Sequence, residues 1–433
     1  MKKQIDAAAA RSRHAWYFYD FGNSAYASVV LLAVYSAYFK NSVVGGAEGT
    51  RLWGISVGIA AVIVAVMSPI FGAIADFTKS KKKFLIVFTG IAVIFTALLF
   101  FVRKGDVFTG MLFFILAEIG YRASQVFYDA LLTDVSSPEL LGSVSGKGWA
   151  IGMLGGIAAL LIVLVPIQII GNEVIPYAFL ITAVFYLASA LPTFLFVKEK
   201  REAEQLPAGE NVARHAFRKL AETFRSVKQY KEFLKYTVAF LIYNDGIMML
   251  MDFAAIIGAT LFGMEQTQLI IFVIIIQLSG AAGALFFGKI ADRKNSRDSI
   301  LFSLVILIAS IIGLFFIKDI VLFYVIGFIA GFALSGAQAV SRSMVSQLAP
   351  QDKATEFYGF LSVAGRTSTF VGPLVFSTLS YRMHNYYSNH GLDSALAEQY
   401  GLYWAIGSIV LFLVVGALLL LLVKRIHMHK QAK

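Results

Sequence analysis

The sequence predicts an all-α, polytopic membrane protein of twelve transmembrane helices in two pseudo-symmetric six-helix bundles. Three observations carry that expectation. Hydrophobic residues make up 58% of the chain and charged residues 15%, against about 25% charged in an ordinary soluble domain. The charges cluster between apolar runs of membrane-spanning length. One short motif occurs twice: Gly72-Ala73-Ile74-Ala75-Asp76, followed by Lys79, Lys81, Lys82 and Lys83, returns as Gly288-Lys289-Ile290-Ala291-Asp292, followed by Arg293, Lys294 and Arg297. Asp76 and Asp292 stand 216 positions apart in a chain of 433. A repeat at half the chain length, inside hydrophobic sequence, implies a duplicated bundle, an organisation common among secondary transporters.

Twelve runs are long enough to cross a hydrocarbon core that needs about 20 apolar residues. They are 16–39, 52–75, 84–102, 108–131, 146–166, 176–197, 233–259, 269–291, 300–317, 320–344, 357–381 and 400–423. Prolines 69, 166, 192 and 373 mark kinks or span ends. Glycines 148, 152, 155 and 156, with Gly365 and Gly372, stripe spans five and eleven and are read as close-packing sites.

Basic residues set the orientation. Of the 37 lysines and arginines, only Lys40, Arg51, Arg103, Lys104, Lys318 and Arg382 fall in the expected outer loops. That asymmetry places both termini in the cytoplasm. The first apolar run is too long for a signal peptide and carries Asp20 and Asn23. The chain lacks cysteine, which excludes disulfide and thiol chemistry. The net charge of +11 sits in short loops flanking apolar runs, which argues against a nucleic-acid partner. The expected domains are 1–197 and 233–433, joined by a basic cytoplasmic linker, 198–232. There Phe217, Leu220, Phe224 and Val227 recur at helical spacing, as an amphipathic helix on the inner leaflet would. A disordered linker is the alternative.

Charges inside spans each need a partner, water or a task, because burial at bilayer depth costs at least ~2.5–3.5 kcal/mol. The candidates are Asp20 in span one; Glu118, Arg122 and Asp129 in span four; Lys147 in span five; Asp245 and Asp252 in span seven; Arg342 in span ten; and Arg366 in span eleven. Glu118, Arg122, Gln125 and Asp129 recur at helical spacing, on one face. That stripe is either a structural ion pair or a cavity wall. Asp20 is either a helix-start carboxylate or a gate. Trp16 and Tyr17 beside it resemble interfacial anchors. Asp245 lies mid-span beside Asn244 and Gly246 and is the leading candidate for proton coupling, ahead of Glu118 and Asp20.

The repeat reaches further. Gln125 and Asp129 in span four match Gln338 and Arg342 in span ten. Gly146-Lys147 matches Gly365-Arg366, and Tyr19-Asp20 roughly matches Tyr243-Asn244. No span contains a histidine, and the tail pair His427 and His429 lacks a carboxylate partner, so no metal site is expected. The absence of a P-loop pattern argues against ATP hydrolysis, and no paired nucleophile and base mark an enzyme. No cofactor is expected.

The doubled Gly-x-x-x-Asp-basic loop, the two halves and the long central loop resemble the major facilitator superfamily. The first loop departs from the usual pattern at Phe77, Lys79 and Ser80, while the second keeps Gly288, Asp292, Arg293 and Arg297. More narrowly, Trp16-Tyr17-Phe18-Tyr19-Asp20-Phe21-Gly22-Asn23-Ser24-Ala25-Tyr26 looks like the first helix of the vacuole-effluxer-like branch. Tyr243-Asn244-Asp245-Gly246, Ser341-Arg342-Ser343 and Gly365-Arg366-Thr367-Ser368 look like its later motifs. The resemblance implies alternating access, with helices one, four, seven and ten around a central cavity. It implies that Asp76 and Asp292 hold contacts that set the inward and outward states. In fungal members the implied activity is efflux of amino acids from the vacuole.

The expectation is therefore a proton-coupled secondary transporter of a small, amino acid-like solute. It is a monomer in a bacterial inner membrane, with protons, solute and the lipid bilayer as its partners. Asn23, Tyr26, Arg122, Gln125, Asn244, Asp245 and Gln338 would meet the solute, and Arg122 would hold a carboxylate. Asp76, Asp129, Lys147, Asp292, Arg342 and Arg366 would form the conformational switch. Two rivals stand beside it. One is a lipid or lysolipid flippase, for which the aromatic-rich outer loop 381–400 leaves room. The other is a non-transporting scaffold that uses the basic linker.

Overall fold

The computed structural model describes residues 2–136, 141–199, 229–293, 295–348 and 369–425, with the isolated positions 218, 225, 361 and 365. The side chains of 2–8, 69, 73, 76–78, 141–143, 292, 342–343 and 346 lie outside that description. The described chain is almost wholly helical. Its long helices are α1 (Ala9–Val44), α2 (Gly46–Thr78), α3 (Lys81–Leu98), α4 (Val107–Ala130), α5 (Leu141–Ile170) and α6 (Ile175–Phe196). They continue as α7 (Lys231–Phe262), α8 (Gln266–Arg293), α9 (Ser296–Gly313), α10 (Ile320–Leu348), α11 (Val371–Asn389) and α12 (Ser394–Leu421). Among the described residues, 11 helices are long and apolar enough to cross a membrane. Only the C-terminal part of the expected span 357–381 is described, as α11. Side chains such as Ile169, Leu285 and Phe316 point outward, as lipid-facing residues do.

The chain forms two compact units. One holds Met1–Arg218 together with Glu265–Ile270; the other holds Lys219–Met264 and Ile271–Lys433. In the first unit α1 packs on α5 and α6, and α4 packs on α2 and α3. In the second, α12 packs on α7, α9 and α11, and α9 packs on α10. Glycine makes the closest approach possible. A Cβ on Gly155 of α5 would sit 2.0 Å from the Phe21 carbonyl oxygen of α1.

Helix α1 is not uniform. Two π-helical stretches, Ala27–Ala33 and Phe39–Val44, interrupt it. The Gln266 side chain at the start of α8, buried in the first unit, donates to the Ala33 carbonyl at 2.6 Å.

The repeated basic loops acquire a structural task. Lys82 Nζ at the start of α3 donates to the Val197 carbonyl just past α6 at 3.0 Å. Arg297 at the start of α9 donates to the Leu420 and Leu421 carbonyls at the end of α12, at 3.2 and 2.7 Å. In each unit a cation from the third helix meets carbonyls at the end of the sixth, which no intrahelical donor reaches. A carboxylate completes each clasp: Glu199 accepts from the Lys81 and Lys82 amides, and Glu232 from the Lys424 amide.

Three expectations need correction. Segment 381–400 is not a long loop. Helix α11 runs on to Asn389 and α12 begins at Ser394, because Tyr387 packs against Tyr400 at 5.2 Å and accepts from Trp404 Nε1 at 3.1 Å. Trp16 is no interfacial anchor. It is buried, stacks on Tyr128 at 4.3 Å and donates to that residue's carbonyl at 3.0 Å. His14 falls inside α1, where its Nδ1 lies 2.8 Å from the Ala10 carbonyl.

Candidate functional site

The first unit carries its polar stripe on α4. Arg122 Nε donates to Glu118 Oε1, and Glu118 is 0% exposed. A buried carboxylate is tolerable only when compensated, and the i,i+4 guanidinium gives Glu118 that compensation in an apolar bundle. Arg122, expected to hold a solute carboxylate, has its Nε on Glu118. The Tyr26 ring, on α1, stacks on Tyr121 at 4.5 Å. Tyr26 Oη and Glu118 Oε2 are both buried, and the Tyr26 hydroxyl faces the Glu118 carboxylate. Asn23, about one turn before Tyr26, is buried, and Gln125 is half-buried. Asp129 and Lys147 are exposed.

Asp20 is half-buried against α5. A Cβ on Gly152 would sit 2.9 Å from the Asp20 carboxylate and from Ser24 Oγ. Beneath it lies a hydroxyl cluster that sequence reasoning missed. Tyr19 Oη lies 2.7 Å from Thr89 Oγ1 and 2.9 Å from Tyr186 Oη, which in turn is 3.2 Å from Ser124 Oγ. These four side chains come from α1, α3, α6 and α4, so the cluster ties four helices together.

In the second unit Asp245 of α7 is 3% exposed. Its Oδ2 accepts from the Gly372 amide of α11 at 3.1 Å. Its Oδ1 is buried without a hydrogen-bond partner among the described residues, as is Gln338 Nε2 on α10. Asn244 and Asp252 are buried beside it on α7. Tyr243 Oη lies 2.6 Å from Ser341 Oγ, and Tyr236 Oη donates to the Ser341 carbonyl at 2.6 Å.

Those bonds echo the first unit. Ser341 stands 213 positions after Tyr128, the same offset that relates Gln338 to Gln125. Tyr19 stacks on Tyr128 at 4.9 Å, and Trp16 donates to the Tyr128 carbonyl. An aromatic side chain from the first helix of each half thus reaches the same carbonyl of the fourth. The sequence signal for this was the Tyr19–Tyr243 match, which does not by itself name the partner.

The side chains of Asp76, Asp292 and Arg342, all of Arg366, the tail histidines and nearly all of linker 198–232 lie outside the described residues.

The profile of the family described as "Vacuole effluxer Atg22 like" matches residues 52–392, well over half of the chain. The chain belongs to that family. The relatives of this Atg22-like protein include the uncharacterized MFS-type transporter YxiO of Bacillus subtilis, 28% identical over 84% of this chain and 87% of that one. They also include Autophagy-related protein 22 of Yarrowia lipolytica, 25% identical over 56% of this chain and 46% of the fungal protein. Two solved structures share its fold. A crystal structure of a mutant of the nucleoside transporter NupG superposes with a TM-score of 0.71 at 14% identity, over 95% of this chain and 99% of that one. A bacterial homolog of the human lysosomal transporter Spinster does so at 0.68 and 14% identity, over 96% of each. The Atg22-like chain therefore has the major facilitator fold. It is a multi-pass integral membrane protein and a transporter, not an enzyme.

Proposed function

We propose that this Atg22-like protein is a secondary active transporter that exports a small, amino acid-like solute by alternating access, coupled to protons. Two bundles, 1–197 and 233–433, would rock about a midplane site, with both termini in the cytoplasm of a bacterial cell and the monomer as the working unit. Asn23, Tyr26, Arg122, Gln125, Asn244, Asp245 and Gln338 would meet the solute, Arg122 holding a carboxylate. Asp245, Glu118 and Asp20 would carry the proton. Asp76, Asp129, Lys147, Asp292, Arg342 and Arg366 would serve the conformational switch.

One observation supports this most: each unit holds a deeply buried carboxylate, Glu118 in one and Asp245 in the other, and Asp245 Oδ1 is left without a hydrogen-bond partner among the described residues. An oxygen held so, away from water, would gain strongly from a proton or a ligand donor. The two carboxylates differ in their compensation. Glu118 has a guanidinium and Asp245 a main-chain amide.

The test is uptake into proteoliposomes under an imposed pH gradient, screened with amino acids. The expected result is gradient-driven uptake that Asp245→Asn abolishes while leaving counterflow exchange of the same solute intact. Uptake of full rate and full pH dependence in Asp245→Asn would refute the coupling role.

A further inference from the structure

We infer that Gln266 is a latch: its side-chain amide fills a carbonyl left over in α1 where π-helical winding gives way to α-helical winding, and so fixes the first turn of α8 to the first unit. This goes beyond the transport reading and requires neither a particular solute nor proton coupling.

The leftover carbonyl follows from counting. The Val34 amide reaches back five residues, to the Val29 carbonyl at 2.8 Å, and the Tyr38 amide only four, to the Val34 carbonyl at 2.9 Å. Between those two bonds lie the amides of 35–37 and the carbonyls of 30–33. Four acceptors share three donors, so one acceptor stays open. Ala33 and Val34 are 0% exposed, and a buried carbonyl without a donor is costly. Gln266 Nε2 supplies the donor, meeting the Ala33 carbonyl at 2.6 Å.

Helix α1 cannot close the gap by turning, because both flanks are pinned. Tyr26 before it is buried and stacks on Tyr121 of α4 at 4.5 Å. Tyr35 and Tyr38 beyond it donate to the Gly110 and Val102 carbonyls, at 2.8 and 2.9 Å. Tightening the wide turn would rotate one flank by about 100° off those partners. The extra donor therefore comes from outside α1.

The start of α8 is built to supply it. Gln268 Oε1 accepts the Glu265 amide at 2.9 Å, which caps the helix from within its own first turn. Gln266 is left to reach outward, and Met264, Leu269 and Ile270 around it are buried. The segment Glu265–Ile270 belongs with the first unit, whereas α7 and α8 from Ile271 onward belong with the second. Phe272, just past that change, stacks on Phe323 of α10 at 4.5 Å. The segment is thus a short strap of second-half sequence seated in the first unit. Its hydrogen bond joins two neutral groups, so releasing it uncovers no charge.

The experiment is hydrogen–deuterium exchange, read by mass spectrometry, on the full-length protein in nanodiscs. Gln266→Met keeps the length and bulk of the side chain but not the donor. It should speed exchange in peptides covering 30–38 and 265–271 by roughly three- to tenfold, the scale of one neutral hydrogen bond, while peptides covering 300–313 stay unchanged. Gln266→Asn, whose amide stops one methylene short, should match it and decides the matter should Gln266→Met fail to fold. Gln268→Ala, which removes the cap and not the latch, should speed 265–271 but leave 30–38 slower than in Gln266→Met. Protection at 30–38 equal to wild type in Gln266→Met overturns the inference. Equal speeding at 30–38 in Gln268→Ala and Gln266→Met overturns it too, as does a loss spread evenly over all helices.

Discussion

In the first unit a carboxylate of the first helix, Asp20, rests against Gly152 of the fifth; in the second, Asp245 rests against Gly372. The two seats look alike but are not repeat mates, since the repeat pairs Asp20 with Asn244 and Gly152 with Val371. The Asp20 carboxylate lies against a glycine within the α5 ladder, whereas Asp245 accepts the Gly372 amide. The buried charges diverge in the same way. The first unit balances Glu118 with a side-chain cation, and the second balances Asp245 with main chain.

The largest expected effect breaks the side-chain arrangement. Arg122→Met strands a fully buried carboxylate and should cost about 3–5 kcal/mol, seen as a steep fall in unfolding temperature in detergent. Adding Glu118→Gln should recover most of it. No recovery would mean that the pair is not what steadies α4.

Crowding the two seats comes next. Valine at position 152 meets a carboxylate and Ser24 Oγ at 2.9 Å, whereas valine at 372 meets first the flexible Met249 chain at 2.7 Å. Both should destabilise by about 1–3 kcal/mol, with Gly152→Val the worse. The reverse order would show that the seat at Gly372 is the less forgiving.

Smaller still is the hydroxyl comparison. Tyr19 Oη meets Thr89 and Tyr186, and Tyr243 Oη meets Ser341 and Tyr236. Tyr19→Phe and Tyr243→Phe should each cost roughly 1–2 kcal/mol. Denaturation in matched detergent would measure both.

The smallest effect concerns the clasps. Arg297→Ala and Lys82→Ala should each cost ~0.3–1 kcal/mol. Arg297→Ala should cost more, because Arg297 holds two carbonyls and Lys82 one. Equal losses would argue that charge rather than bond number matters there.

What was legible in the sequence followed from lengths and spacings. Apolar runs of membrane-spanning length gave the helices, and four-residue spacing gave Glu118 with Arg122. Asp245 stood out because an acid mid-span, beside Asn244 and Gly246, is costly. The Gly372 amide that meets it was invisible, since every residue but proline carries one and nothing in the sequence marks which of them a distant carboxylate will reach. Trp16 was misread because an aromatic residue at a span edge has the same composition whether it faces lipid headgroups or a neighbouring tyrosine. Segment 381–400 was misread for a related reason. Polar, aromatic sequence resembles a loop until Tyr387, Tyr400 and Trp404 are seen to prop two helices together beyond the apolar zone.

The π-helical turns of α1 have an evolutionary corollary. Within a membrane-spanning helix, losing one residue normally twists everything beyond it by about 100°, turning an inner face toward lipid. The stretch Ala27–Ala33 already accommodates a wider turn, so a single-codon deletion there could be absorbed by tightening to ordinary α spacing. Length variation that would ruin α4 or α7 is therefore survivable here, and related chains that are one residue shorter between Tyr26 and Tyr35 would keep both flanks in phase.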